Sequence, residues 1–175
     1  MDERIRKKIF LMVLVALAAG LSGLESLIPN PLPWVRLGLT NAVTLLVMIL
    51  YGFREALAVT LARVFLVSLV LGGLLGPSFL LSLGGGLVSV TVMALMYSTG
   101  LFSILGLSVG GAFAHTLTQF GLLFILIVKD WSLMTLAPPF LLLSLPTGAL
   151  VGWLVIKSWE AILHVTGEMD WESDG

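Results

Sequence analysis

The sequence predicts an all-α integral membrane protein with six transmembrane helices, and three observations carry that reading. Of 175 residues, 58% are hydrophobic and only 11% charged. Soluble domains carry about 25% charged residues, and a chain this short leaves too much of its surface wet to hide so much apolar area. The apolar runs are continuous rather than alternating, which argues against a β-barrel, and they reach the roughly 20 residues that one helix needs to cross a bilayer. The interval from Val64 to Val128 contains no Asp, Glu, Lys or Arg at all.

Charge, proline and glycine punctuate the chain into elements. A first helix is expected over about 9–28, after the basic stretch "MDERIRKK". Its apolar run exceeds the 7–15 residues of a signal-peptide core, so it reads as a true membrane helix rather than a leader cleaved near Ala18–Gly20. "PNPLPW" at 29–34 breaks it, because prolines at that density cannot sit inside a helix. Further helices are expected over about 37–51, 56–74, 79–97, 104–128 and 138–158, with Pro146 kinking the last. Residues 1–8 then form a basic N-terminus, 9–158 the transmembrane domain and 159–175 an acidic tail. An even helix count puts both termini on one side. Arg4, Arg6, Lys7, Lys8, Arg54 and Lys157 fall on that side, and Arg36 and Lys129 on the other. The positive-inside rule therefore places both termini in the cytoplasm and the chain in the cell membrane as a multi-pass protein.

Two stripes of small residues have the spacing at which membrane helices approach closely. Ala16 and Gly20, with Ala19 and Gly23, lie on the first helix; Gly148 and Gly152 lie on the sixth. Each stripe is read either as packing inside the bundle or as a contact for a partner membrane protein. Membrane lipid is the surrounding solvent for the rest.

Against this apolar background a few polar residues stand out. Ionisable groups within a membrane are costly and mark function or buried pairing. Glu25 lies near the outer end of the first helix, Arg63 roughly 12 Å into the third, and His115 near the middle of the fifth, by the 1.5 Å rise of a helix. Thr40, Asn41 and Thr44 share one face of the second helix. Ser108, Ala112, His115 and Gln119 make a small-and-polar stripe on the fifth, and Ser82, Gly86 and Ser89 one on the fourth. Such faces must meet each other or a cavity, since lipid cannot satisfy their donors. They form either a satisfied structural network or a ligand pocket. The pocket reading takes Glu25, Arg36, Asn41, Thr44, Arg63, Ser82, His115 and Gln119 as its lining, with the proline-rich loop above. Arg36 would supply a planar donor for a carboxylate or phosphate. Arg63, the deepest, reads as a ligand contact, a structural ion pair or a side chain that snorkels toward the cytoplasm.

Several functions are excluded or left without support. No HExxH, GxSxG, P-loop or CxxC motif occurs, so no catalytic residue is assigned. With no cysteine there are no thiolate ligands or disulfides, and His115 and His164 are too far apart in the pattern to share a metal. No basic patch interleaved with aromatics points to nucleic acid. No cofactor is expected.

The stretches "IPNPLPWVRLGLTNAVTLL", "SLGGGLVSVTVM" and "GGAFAHTLTQ" resemble the family of heptaprenyl diphosphate synthase component I, also called the Gx transporter family. That family is similar to the substrate-binding S components of energy-coupling factor (ECF) transporters. The resemblance runs over about 9–158; Thr116 and Thr118 depart from its pattern, where Asn and Gly are common. It implies an S-component-like bundle in which the first loop lids an outward pocket and Ala16 and Gly20 touch a coupling transmembrane protein, with ATPase subunits on separate chains. The usual contact pattern there is Ala-x-x-x-Ala, so Gly20 is a departure. The family's other label implies an accessory role in heptaprenyl diphosphate synthesis, toward a quinone side chain. Diphosphate ionisation needs metal-binding aspartates. This chain has Asp2, Asp130, Asp170 and Asp174, none in a DDxxD motif, so it is expected to carry no catalysis itself.

Overall fold

A computed structural model describes residues 3–27, 40–71, 73–129 and 135–166. The described chain forms six α-helices: α1 (Glu3–Leu27), α2 (Asn41–Tyr51), α3 (Phe53–Val70), α4 (Pro77–Ser98), α5 (Ile104–Leu123) and α6 (Ala137–Thr166). Four helical segments are long and apolar enough to cross a bilayer: Arg4–Glu25, Pro77–Ser98, Ile104–Leu126 and Ala137–Ile162. The other two helices depart from that pattern for visible reasons. α2 has only 11 residues, about 16 Å at helical rise, and α3 carries Arg54, Glu55 and Arg63 within 18 residues.

Local chemistry sets the helix ends. Gly52 joins α2 to α3 as a single residue at φ 94°, a backbone state that glycine adopts without steric cost. Pro77 opens α4 in its first turn, where its missing N–H costs nothing. Ser103 caps α5, its hydroxyl accepting from Gly106 N–H at 3.3 Å. After Leu123 the chain continues as one π-helical turn, Phe124–Val128, closed by Lys129 in the left-handed region. Several expected boundaries shift: α1 already begins at Glu3 rather than about 9, and α3 at Phe53 rather than about 56. α3 stops at Val70 instead of about 74, because Gly73 N–H turns back to Ser68 C=O and ends the ladder. α6 continues to Thr166, eight residues beyond the expected end, and Trp159 and Ile162 still pack on the core. Pro146 lies inside α6 and removes a backbone donor. The nearby hydroxyls of Ser144 and Thr147 donate to Leu141 C=O and Leu143 C=O, at 2.6 and 3.0 Å.

Contacts along the helices fix their directions. Lys7 meets Glu55 and Ser22 meets Arg63, so α1 and α3 run the same way. Thr44 meets Thr60, so α2 runs against α3. Phe65 meets Phe79 where α3 ends and α4 begins. Gly85 of α4 lies on His115 and Gly111 of α5 on Met93; Gly148 of α6 lies on Val109 and Gly152 on Leu105. Consecutive helices therefore alternate, and the start of α1 and the end of α6 share one end of the bundle. There Lys7 donates to Glu55 at 2.5 Å and lies 5.0 Å from the centre of the Tyr51 ring, which also meets Phe10. That hydrogen bond, first among several causes, holds the Glu55 carboxyl below its ordinary value. The pair's small contribution is thus present at neutral pH and fades as pH falls through the lowered value.

Short α2 is the axis. Seven of its 11 residues are buried, and it packs against all five other helices. Val43, Leu45, Val47 and Met48 anchor the main apolar cluster together with Leu14 and Ala18 of α1, Val90 and Met93 of α4, Leu107 of α5 and Val155 of α6. The outside is more apolar than a soluble surface allows: Met12, Leu24, Leu69, Val70, Leu95, Ile125 and Leu142 are all exposed. A lipid-facing shell explains that distribution.

The two small-residue stripes have different fates. A Cβ on Gly148 would come 2.8 Å from the Val109 Cα, and one on Gly152 would come 3.0 Å from the Leu105 Cα. Backbone cannot retreat as a side-chain tip can, so this stripe sets the α5–α6 distance. On α1, Ala16 and Gly20 are exposed, and no described atom lies within 4 Å of a Cβ built on Gly20 or Gly23. The expectation of packing inside the bundle holds for α6 and is corrected for α1, whose stripe faces away from the described core. Gly152→Leu should therefore cost about 1–3 kcal/mol through overpacking, and Gly20→Leu almost nothing. Thermal unfolding of the detergent-purified variants separates them; equal losses would contradict this packing.

Candidate functional site

Arg63 is only 4% exposed and lies among helices rather than at a membrane boundary. α3 aims it toward α1 and α2. Its Nη1 donates to Ser22 Oγ on α1, at 3.4 Å, and to Thr40 Oγ1 just before α2. One turn below, Thr60 shares a hydrogen bond with Thr44 of α2 at 3.2 Å and donates to Ala56 C=O. Arg63 thus does not snorkel to the end at which the termini lie. It joins α3 to α1 and to the start of α2 through hydroxyls, in charge-assisted hydrogen bonds that solvate a buried guanidinium.

The "GGG" of α4 forms the floor beneath this joint. A Cβ on Gly86 would fall 2.9 Å from Thr60 and 3.6 Å from Arg63 Nη2. A Cβ on Gly85, the next residue, would fall 2.9 Å from the His115 ring and 3.2 Å from Gln119 Cγ. Arg63 from α3 and the His115–Gln119 pair from α5 therefore reach adjacent residues of one helix from its two sides. The absent side chains are what permit that approach. His115 and Gln119 are both buried, at 5% and 1% exposure. Among the described residues, both ends of the Gln119 carboxamide, Oε1 and Nε2, lack a hydrogen-bond partner. Asn41 Nδ2, at the start of α2, lacks one too.

The other expected site residues are placed as follows. Glu25 is buried on α1, one turn beyond Ser22. Thr44 is buried, with its hydroxyl engaged by Thr60. Ser82 is buried on α4, one turn before Gly85 and Gly86. Arg36 and the expected lid at 29–36 lie outside the described residues. Among the described residues no three His, Cys, Asp or Glu side chains gather as metal ligands. Sequence reasoning missed Ser22, Thr60 and Gly85. Two of them had a readable signal: Ser22 precedes Glu25 by three residues and Thr60 precedes Arg63 by three, each pair on one helix face. Gly85 had none, since its role depends on what α5 presents to it.

If Thr40 is the main acceptor for Arg63, Thr40→Val removes it at nearly constant volume and leaves the buried guanidinium short of one bond. The expected loss is about 1–3 kcal/mol of stability. Thr91→Val, whose hydroxyl only returns to Leu87 C=O on an exposed face, should change little. Paired thermal melts decide; equal effects would mean that the Arg63 joint carries no particular weight.

Neither a curated protein nor a solved structure matches the chain. A family model described as heptaprenyl diphosphate synthase component I matches residues 14–157. The match begins within α1 and ends within α6, so it takes in every residue of the buried polar cluster just described; the chain belongs to the heptaprenyl diphosphate synthase component I family.

Proposed function

We propose that the chain is the substrate-binding membrane subunit of an energy-coupled importer, similar to an ECF S component, for a small anionic, isoprenoid or cofactor-related molecule. One observation carries this reading: polar side chains of α1, α2, α3 and α5 are buried inside an apolar shell, with Arg63 and the His115–Gln119 pair against adjacent glycines of α4, and among the described residues neither end of the Gln119 amide finds a partner. A purely structural network has no use for an unsatisfied buried amide, which costs stability. A site that waits for a ligand does.

In this reading all six helices span the cell membrane with both termini in the cytoplasm. The ligand enters from the outside and is held by Asn41, His115 and Gln119, with Glu25, Thr44, Arg63 and Ser82 around it and Arg36 near the mouth. The 29–36 loop closes over it. The outward stripe of Ala16 and Gly20 meets a coupling transmembrane protein, and ATPase subunits on other chains supply the energy. The chain itself is not an enzyme.

The family's description favours a second reading, a non-catalytic membrane accessory subunit of a heptaprenyl diphosphate synthase. Affinity purification of the tagged chain from its native membrane discriminates. Recovery of an ATPase pair with a membrane coupling protein supports the importer, and recovery of a soluble aspartate-rich synthase supports the accessory role. Gly20→Leu should abolish recovery of the coupling protein while leaving the isolated chain folded. Topology has its own test in this cysteine-free chain. A cysteine at Lys129 should react with an impermeant maleimide in intact cells, and one at Arg4 only after lysis. The reverse pattern would invert the orientation and remove the outward-facing pocket.

A further inference from the structure

Gln119 is the most thoroughly buried of the polar groups that lack hydrogen bonds, and its chemistry restricts what can satisfy it. A carboxamide presents one acceptor and one donor side by side. Here both are bare at 1% exposure. The side chain is also held in place. Its Cγ leans on Gly85, and the His115 ring lies against the same glycine one helical turn away. Ser108, lower on the same helix, also has a bare hydroxyl. It faces the tight contact with α6, where a Cβ on Gly152 would lie 3.0 Å from the Ser108 Cβ, and that contact leaves no space for a ligand.

We infer that Gln119 recognises a ligand edge that both donates and accepts, as a carboxamide, lactam or cyclic imide does, and that it discriminates against a bare carboxylate or phosphate. This rests on the reading of the buried polar cluster as a ligand site and, among the ligand classes proposed for it, sets aside those that present a bare anion to Gln119. An all-acceptor anion would pair with Nε2 but set its oxygen lone pairs against Oε1, leaving that acceptor buried and repelled. A donor–acceptor edge meets both atoms at once. Sites built to hydrogen-bond such a group reject analogues that lack it far more strongly than apolar pockets reject a missing methylene. Arg63 Nη1, by contrast, is turned toward Ser22 and Thr40.

The amide is then maintained for recognition at the expense of stability, a trade that a substitution can expose. Full-length chain in detergent, as wild type, Gln119→Leu and Gln119→Glu, is dialysed against two defined mixtures. One holds nicotinamide, uracil and thymine; the other holds nicotinate, benzoate and inorganic phosphate. Retained compounds are read by native mass spectrometry, and each ligand-free protein is melted. Wild type should retain members of the first mixture, and both variants should lose them by at least tenfold. Ligand-free Gln119→Leu should melt about 2–6 °C above wild type, because an unsatisfied amide has been removed. Gln119→Glu, which keeps the size but not the donor–acceptor pair, keeps the test valid if the leucine variant fails to fold. Retention of the acids, indifferent to Gln119, would overturn this inference and leave the ligand site standing. Retention of neither mixture by wild type overturns the inference. If Gln119→Leu also melts lower than wild type, the amide is a structural group and the ligand-site reading falls with it.

Discussion

A guanidinium enclosed by helices that face lipid has no water to retreat to, and the arrangement around Arg63 follows from that constraint. Its charge must be solvated by the protein, so three helices bring hydroxyls or bare backbone to it. α1 supplies Ser22, the start of α2 supplies Thr40, and α4 supplies Gly86, whose missing side chain lets the arginine lie close. In a soluble domain such a group would turn outward. In a bilayer the outward direction is the more expensive one, and the polar interior under an apolar exterior is the consequence.

Glycine does the work elsewhere done by large apolar side chains. Without a hydrophobic driving force between helices, close packing and interhelical hydrogen bonds hold a membrane bundle together. Gly148 and Gly152 let α6 rest on the backbone of α5, and Gly111 lets α5 approach Met93 and Ser89 of α4, with Ser89 donating to Gly111 C=O at 2.9 Å. Gly85 and Gly86 do the same for the polar cluster. The same residue type thus makes a rigid frame on one side of α5 and a shallow polar floor on the other. The difference is decided by what the opposing helix carries.

Membership of the component I family joins a label drawn from isoprenoid synthesis to a bundle that buries polar side chains beneath an apolar exterior. Physical chemistry weighs on the choice between them. Prenyl transfer needs clustered carboxylates to hold metal against diphosphate, whereas the buried polar groups among the described residues are a guanidinium, an imidazole, two carboxamides, hydroxyls and one carboxylate, Glu25. That set suits recognition by hydrogen bonds better than ionisation of a diphosphate.

The sequence alone determined the helical class of this protein and which polar residues stand out from its apolar background. Continuous apolar runs, proline and glycine punctuation and the absence of charge over 64–128 were enough to find six helices, because in lipid every backbone group must be satisfied locally and few other solutions exist. Helical spacing also singled out Asn41, Arg63, His115 and Gln119, since polar residues are rare enough here to stand out one by one. The spacing could not give direction. Whether Arg63 reaches inward or snorkels, whether the α1 stripe packs inside or faces out, and whether Thr44 is open or already bonded to Thr60 depend on neighbours far away in the chain. Those choices are settled by the rotation of each helix about its axis, and the packing of the helices against one another sets that rotation. The place of Gly85 under His115 and Gln119 belongs to the tertiary structure for the same reason: a glycine carries no side-chain signal, and its meaning lies entirely in what comes to rest against it.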